Sequence, residues 1–116
     1  MKNNKMLETI IMSCQDTKAA DIVVLDMKKV TPVADYFVIA EASNEKQVQA
    51  IARTIKNDLE AIDYSVTRME GFNEGRWILV DANDIICHIF HSDERSHYNL
   101  ERLWGDAEQV ELKDIK

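Results

Sequence analysis

The segment from residue 87 to residue 104, CHIFHSDERSHYNLERLW, concentrates the residue types that could bind a metal or carry out nucleophilic chemistry. It holds all 3 histidines of the chain, one of its 2 cysteines and one of its 2 tryptophans. Cysteine and histidine are common zinc ligands, and a cysteine beside a histidine can be an activated nucleophile. The alternative is a surface of aromatic and charged side chains that binds another protein.

The predicted strand conformation of residues 84–91 opposes both kinds of chemistry. Successive side chains of a strand point to opposite faces, which separates Cys87 from its neighbour His88. Cys87 and His91 share a face but lie about 13 Å apart along an extended strand, whereas zinc holds its ligands within about 2.3 Å. Ser92 and Asp93 are explained as the cap and the first-turn acid of a helix. We therefore expect no metal, no cofactor and no catalytic residue in this segment.

Nucleotide binding has equally little support in the sequence. The 3 glycines, Gly71, Gly75 and Gly105, are too few for a glycine-rich phosphate-binding loop. Asp81 and Asp84 could hold a magnesium ion between them, but paired aspartates at a hairpin tip are more often solvated turn residues. A divergent magnesium-dependent nucleotidyltransferase that uses these two aspartates is kept as the enzymatic alternative.

Composition and charge predict one cytoplasmic domain with a protein partner. A chain of 116 residues that is 46% hydrophobic can build a single core. Its 21 acidic and 14 basic residues give a net charge of −7, which disfavours direct contact with RNA and favours a basic protein. The 2 cysteines fit a reducing compartment, and no apolar stretch is long enough for a signal peptide or a membrane span.

The spacing of apolar residues predicts a mixed α/β fold. Helices are expected from Leu7, after the capping residue Asn44 and after Ser92, because apolar residues there repeat every three or four positions. Strands are expected over residues 21–27, 36–42, 64–70, 76–81 and 84–91. This order gives a single domain of residues 1–107, with a mixed five-stranded sheet packed with helices. Residues 108–116 are expected to form a charged, loosely ordered tail.

The last two predicted strands form a hairpin that sorts its side chains into two faces. With Ala82 and Asn83 as the loop residues, Trp77 is expected opposite His88 across the ladder. One face then carries a set that is too apolar for an ordinary solvated surface, namely Trp77, Leu79, Asp81, Ile86, His88 and Phe90. Two explanations stay open: this face packs under the carboxy-terminal helix, or it docks a partner.

Several stretches carry, as a set, a resemblance to a known family. They are ADYFVIAEASNEKQVQAIA at residues 34–52, RWILVD at residues 76–81 and HIFHSDERSHYNLERLWGDA at residues 88–107. The chain resembles the ribosome silencing factor family, also called Iojap-like, from about Leu7 to Ala107. It departs from the family at Asn83, where many members have glycine, and at Glu41 and Ala42, which replace a common Thr-Gly.

The resemblance implies a nucleotidyltransferase-like fold without transferase activity. It also implies binding to the large ribosomal subunit through its protein fourteen, with little direct RNA contact and no membrane. Bound there, the protein would block joining of the small subunit and repress translation when nutrients are short. Trp77 and Tyr98 would be the aromatic anchors. The expected contact residues are those of the hairpin face and of the last helix, namely Trp77, Leu79, Asp81, His88, Phe90, Arg95 and Tyr98. A structural homodimer through the hairpin face is the other alternative.

Overall fold

The structure, a computed structural model, describes residues 4–93 and 107–112. Helix α1 spans Asn4–Asp16 and helix α2 spans Glu45–Ala61. The strands are β1 (Ala20–Asp26), β2 (Tyr36–Ala42), β3 (Arg68–Glu70), β4 (Trp77–Asp81), β5 (Ile85–His91) and β6 (Glu108–Val110). Ser92 and Asp93 are helical. The rest of the predicted last helix, with Arg95, Tyr98 and Trp104, lies outside the described residues.

The strands form one mixed sheet in the order β3-β4-β5-β2-β1-β6. Strands β2 and β5 are parallel neighbours, and the other described neighbours are antiparallel. The predicted mixed α/β single domain is confirmed, but the sheet has six strands within the described residues instead of five.

Residues 108–110 form the sixth strand, so the expected loose tail does not hold for them, and residues 113–116 lie outside the described residues. Glu108–Val110 pair antiparallel with β1, where Val110 lies opposite Val24. Val110 and Leu112 also pack against the hydrophobic cluster that α1 and α2 form with one face of the sheet. A strand of three residues is too short to show a clear alternation of apolar and polar residues, so it could not be predicted. Backbone pairing with the neighbouring strand holds it in place.

Helices α1 and α2 pack on one face of the sheet and form with it a single hydrophobic cluster, the helix-side cluster. Leu7, Ile10, Ile11 and Cys14 of α1 are buried there, as their spacing predicts. The predicted cap of α2 is confirmed, since the side chain of Asn44 accepts a hydrogen bond from the backbone N–H of Gln47 at 2.8 Å. The two helices are also joined by a hydrogen bond of 2.7 Å from the Ser13 hydroxyl to Asp58.

The predicted hairpin register is wrong by two residues, whereas the predicted faces are right. Trp77 pairs with Phe90, and Leu79 pairs with His88. The turn residues are Asn83 and Asp84, because the backbone N–H of Ala82 donates to the Ile85 carbonyl oxygen at 3.0 Å. Asn83 adopts a φ of 70°, which asparagine tolerates better than most residues. Side chains alternate with a period of two, so a shift of two residues leaves each one on its predicted face.

A second hydrophobic cluster lies on the sheet face opposite the helices. Its buried members come from β1, β2, β5 and the loop between β1 and β2, namely Leu25, Met27, Ala34, Phe37, Ile39, Ile86 and Phe90. Trp77 and Leu79 pack against this cluster and are only partly buried. The sheet therefore has apolar packing on both faces, and this second cluster lies beneath the side chains singled out as a docking surface.

Candidate partner-binding face

The hairpin face, which comprises Trp77, Leu79, Asp81, Ile86, His88 and Phe90, has two layers. The side chains from β4 are partly exposed, whereas those from β5 are buried. Only 6% of His88 is exposed, and none of Phe90. Strand β5 lies in the middle of the sheet and β4 lies next to its edge, which explains the difference in depth. Direct contact with a partner is open to Trp77, Leu79 and Asp81.

Trp77 rests on a cluster of aromatic rings. Its ring stacks on Phe90 with centroids 5.0 Å apart, and the ring of His88 is 6.0 Å away. Phe37 closes the cluster from β2, with its centroid 4.8 Å from that of His88. Sequence reasoning missed Phe37, because alternation assigns it to one face of β2 without saying that β2 lies beside β5. Offset and tilted ring pairs of this kind stabilise one arrangement of the rings.

A hydrogen bond fixes the edge of the Trp77 indole. Its Nε1–H donates to Nδ1 of His88 at 3.2 Å. Burial lowers the pKa of His88 to about 4, so the imidazole is neutral at neutral pH. Because Nδ1 accepts, the proton of the neutral ring is assigned to Nε2. The Nε2 atom is buried and has no hydrogen-bond partner within residues 4–93 and 107–112.

Gly71 sets the path of the chain into β4. Its φ is +78°, and a Cβ atom added there would lie 2.2 Å from the carbonyl oxygen of Trp77. A side chain cannot be accommodated at that distance, and the positive φ also favours glycine. From the sequence, Gly71 is expected to begin a loop and is one of three glycines that are too few for a phosphate-binding turn. A single glycine shortly before a strand is the signal that could have indicated a close backbone approach.

Asp81 is engaged in the structure of the hairpin end. One carboxylate oxygen accepts from the backbone N–H of Asn83 at 3.0 Å, and the other lies 3.5 Å from Nε of Arg68 on β3. Asp84, its candidate partner for magnesium, is an exposed turn residue. Across the described ranges, no three His, Cys, Asp or Glu side chains are grouped so that they could hold a metal ion.

The buried cysteines and the other described histidine lie away from the hairpin face. Cys87 belongs to the helix-side cluster, opposite His88, as alternation predicts. Burial raises the pKa of Cys14 to about 12 and raises that of Cys87 well above its usual value. His91 lies at the end of β5, where its Nε2 is 3.8 Å from a carboxylate oxygen of Glu45.

The predicted cap of the last helix is displaced by one residue. Helical geometry begins at Ser92, and Nδ1 of His91 accepts from the backbone N–H of Asp93 at 3.2 Å. The hydroxyl of Ser92 donates to the carbonyl oxygen of Ala42 at 3.0 Å and so ties this point to the end of β2. Arg95 and Tyr98 follow outside the described residues, and their contact roles stay predictions. No helix in the described part of the chain is long and apolar enough to cross a membrane.

Comparison with known proteins gives the family. The family described as "Ribosomal silencing factor during starvation" matches residues 1–116. The ribosomal silencing factor RsfS of Bacillus subtilis is 49% identical over 112 residues, which cover 97% of this chain and 95% of that protein. RsfS of Halalkalibacterium halodurans is 43% identical over 115 residues, with 99% and 98% covered.

A solved structure gives the same answer for the fold. A crystal structure of a Bacillus halodurans protein superposes with a TM-score of 0.85 at 40% sequence identity. The match covers 95% of this chain and 100% of that one. The resemblance seen from about Leu7 to Ala107 is confirmed by a family match over residues 1–116, and this chain belongs to the ribosomal silencing factor family.

Proposed function

We propose that this protein binds the large ribosomal subunit through its protein fourteen and thereby blocks joining of the small subunit in the cytoplasm. Translation would fall when nutrients are short, in line with the family description, which names silencing during starvation. The observation that carries the proposal is the way in which neighbouring side chains hold the Trp77 ring. Its indole is partly exposed, stacked on the buried Phe90 and hydrogen-bonded to His88.

A Trp77 side chain held in this way is suited to anchor a partner protein. An aromatic side chain can bury about 150–250 Å², and tryptophan is enriched among the residues that dominate binding energy. A ring that is already held in one arrangement loses less conformational freedom when the partner arrives. Leu79 and Asp81 lie on the same face beside it and would extend the contact.

Charge supports a basic protein as the partner. The net charge of −7 attracts a positively charged ribosomal protein and repels the phosphates of the surrounding RNA. Steric occupation of the subunit interface is sufficient for silencing and requires no reaction. Of the two alternatives, a magnesium-dependent nucleotidyltransferase predicts that the protein binds a nucleotide. A structural homodimer predicts a molecular mass twice that of one chain.

Co-sedimentation with purified large subunits, with and without small subunits, tests the proposal. The native protein should move with large subunits and lower the yield of joined ribosomes. Trp77→Ala should weaken binding by about thirtyfold or more, as expected when a dominant interface residue is truncated. Met12→Ala is the matched control, because Met12 is a hydrophobic residue with 59% exposure on α1 and belongs to neither sheet cluster.

Three outcomes would contradict the proposal. The protein could stay at the top of the gradient, which would reject ribosome binding. Trp77→Ala could bind as well as Met12→Ala, which would reject the hairpin face. Binding to large subunits that lack protein fourteen could equal binding to complete ones, which would reject that protein as the receptor.

A further inference from the structure

Stacking on Phe90 leaves one feature of the Trp77 ring undetermined. An aromatic ring can lie on another with either edge turned inward, because stacking depends mainly on the two faces. The hydrogen bond from Nε1 of Trp77 to Nδ1 of His88 is directional and selects one of these orientations. Phe90 therefore fixes the plane in which the Trp77 ring lies, and His88 fixes which edge of that ring turns inward.

Histidine is a costly choice for residue 88. Only 6% of the residue is exposed, and its Nε2 has no hydrogen-bond partner in the described part of the chain. A buried donor without an acceptor destabilises the folded state, and a leucine of similar size would have no such donor. Such a group in a folded protein calls for an explanation other than packing.

We infer that His88 is a positioning residue, which through Nδ1 fixes the orientation in which Trp77 presents its indole to the protein partner. This inference rests on the proposed function. His88 is too deeply buried to make the contact itself. It acts through Trp77, and the remaining surface of the indole carries the recognition.

Two substitutions at residue 88 separate positioning from packing. His88→Leu fills the site without an acceptor. His88→Asn retains an acceptor, because the side-chain oxygen of asparagine occupies about the place of Nδ1. The leucine variant should be the more stable of the two, since residue 88 then adds no unpaired donor, and the Trp77 N–H that loses its acceptor belongs to a partly exposed ring. For affinity to large subunits the order should be reversed, with His88→Asn binding more tightly than His88→Leu.

The expected loss for His88→Leu is about five- to tenfold in affinity, the equivalent of one hydrogen bond. His88→Asn should bind within about threefold of the native protein. The indole N–H resonance of Trp77 reports the bond directly, and Trp104→Phe identifies which of the 2 tryptophan signals it is. That resonance should move, and exchange faster with water, in His88→Leu only.

Each alternative result has a defined meaning. Native-like binding by His88→Leu would overturn the inference, and so would an equal loss in both variants while both remain folded. An unchanged indole resonance in His88→Leu would overturn it as well. If Trp77→Ala binds normally, the hairpin face is rejected as the binding site in the proposed function, and the indole spectrum still decides whether His88 orients the ring.

Discussion

Leu79 and His88 lie directly opposite each other on β4 and β5, yet Leu79 is partly exposed and His88 is buried. The hairpin thus carries neighbouring side chains at two depths on one face. The outer layer is accessible to a partner, and the inner layer holds it in position. Under the proposed function, substitutions in the outer layer should change binding directly, whereas those in the inner layer should change stability or act on binding through Trp77.

Stability should depend on pH through His88. In the unfolded chain its imidazole has the ordinary pKa of 6.5, whereas burial lowers the folded-state pKa to about 4. The unfolded chain therefore binds a proton first as the pH falls, so acid favours unfolding in this window. We expect a loss of about 2 kcal/mol between about pH 7 and about pH 5 from this group. Urea unfolding of the native protein and of His88→Leu measures it, and equal pH profiles would contradict the burial effect.

Phe90 should act through stability and only indirectly through binding. It is fully buried, and Phe90→Ala should lower the free energy of unfolding by about 3–5 kcal/mol, as expected for a large cavity. Phe72 is partly exposed, and Phe72→Ala is the matched control with a smaller loss. Denaturant titration compares the two variants. A native-like stability of Phe90→Ala would show that this ring is not part of the core.

A side chain at residue 71 should disturb the start of β4. In Gly71→Ala the new methyl group would meet the Trp77 carbonyl oxygen, and the positive φ adds backbone strain. We expect a loss of more than about 2 kcal/mol in the free energy of unfolding. Glu74→Ala, an exposed change in the same loop, should be nearly neutral. Thermal unfolding of both variants checks the prediction, which similar melting temperatures would contradict.

The 2 cysteines should be unreactive in the folded protein. Both are free and buried, and burial raises both pKa values, so the nucleophilic thiolate is scarce at mildly alkaline pH. A colorimetric thiol reagent at about pH 8 should react slowly with the native protein and rapidly after unfolding in guanidinium. Fast modification of Cys14 or Cys87 in the folded protein would mean that the helix-side cluster opens readily.

Local patterns predict which face a side chain takes better than how deep it lies. Trp77 and His88 were assigned to the same face correctly even though they are not opposite each other, because alternation does not depend on register. Register depends on which residues form the turn, and a turn that begins one residue later than predicted moves the pairing by two. Asn83 takes the positive φ in either case, so its identity alone could not choose between the two turns.

Burial depth depends on the strand order, and that order follows from contacts distant in the sequence. His88 and Phe90 are buried because β5 lies between β4 and β2, and β2 precedes it by more than forty residues. The sequence gives no local sign of that parallel pairing. For the same reason Phe37 was missed, although it completes the ring cluster beneath Trp77.

The two outer strands of the described sheet also affect self-association. Strands β3 and β6 have 3 residues each, and Arg68, Glu70 and Glu108 place charges on them. Long apolar edge strands invite pairing with other chains, and short charged ones discourage it. The hydrophobic strands β2 and β5 are thus shielded from edge-to-edge aggregation, and a dimer formed by continuing the sheet into a second copy is disfavoured.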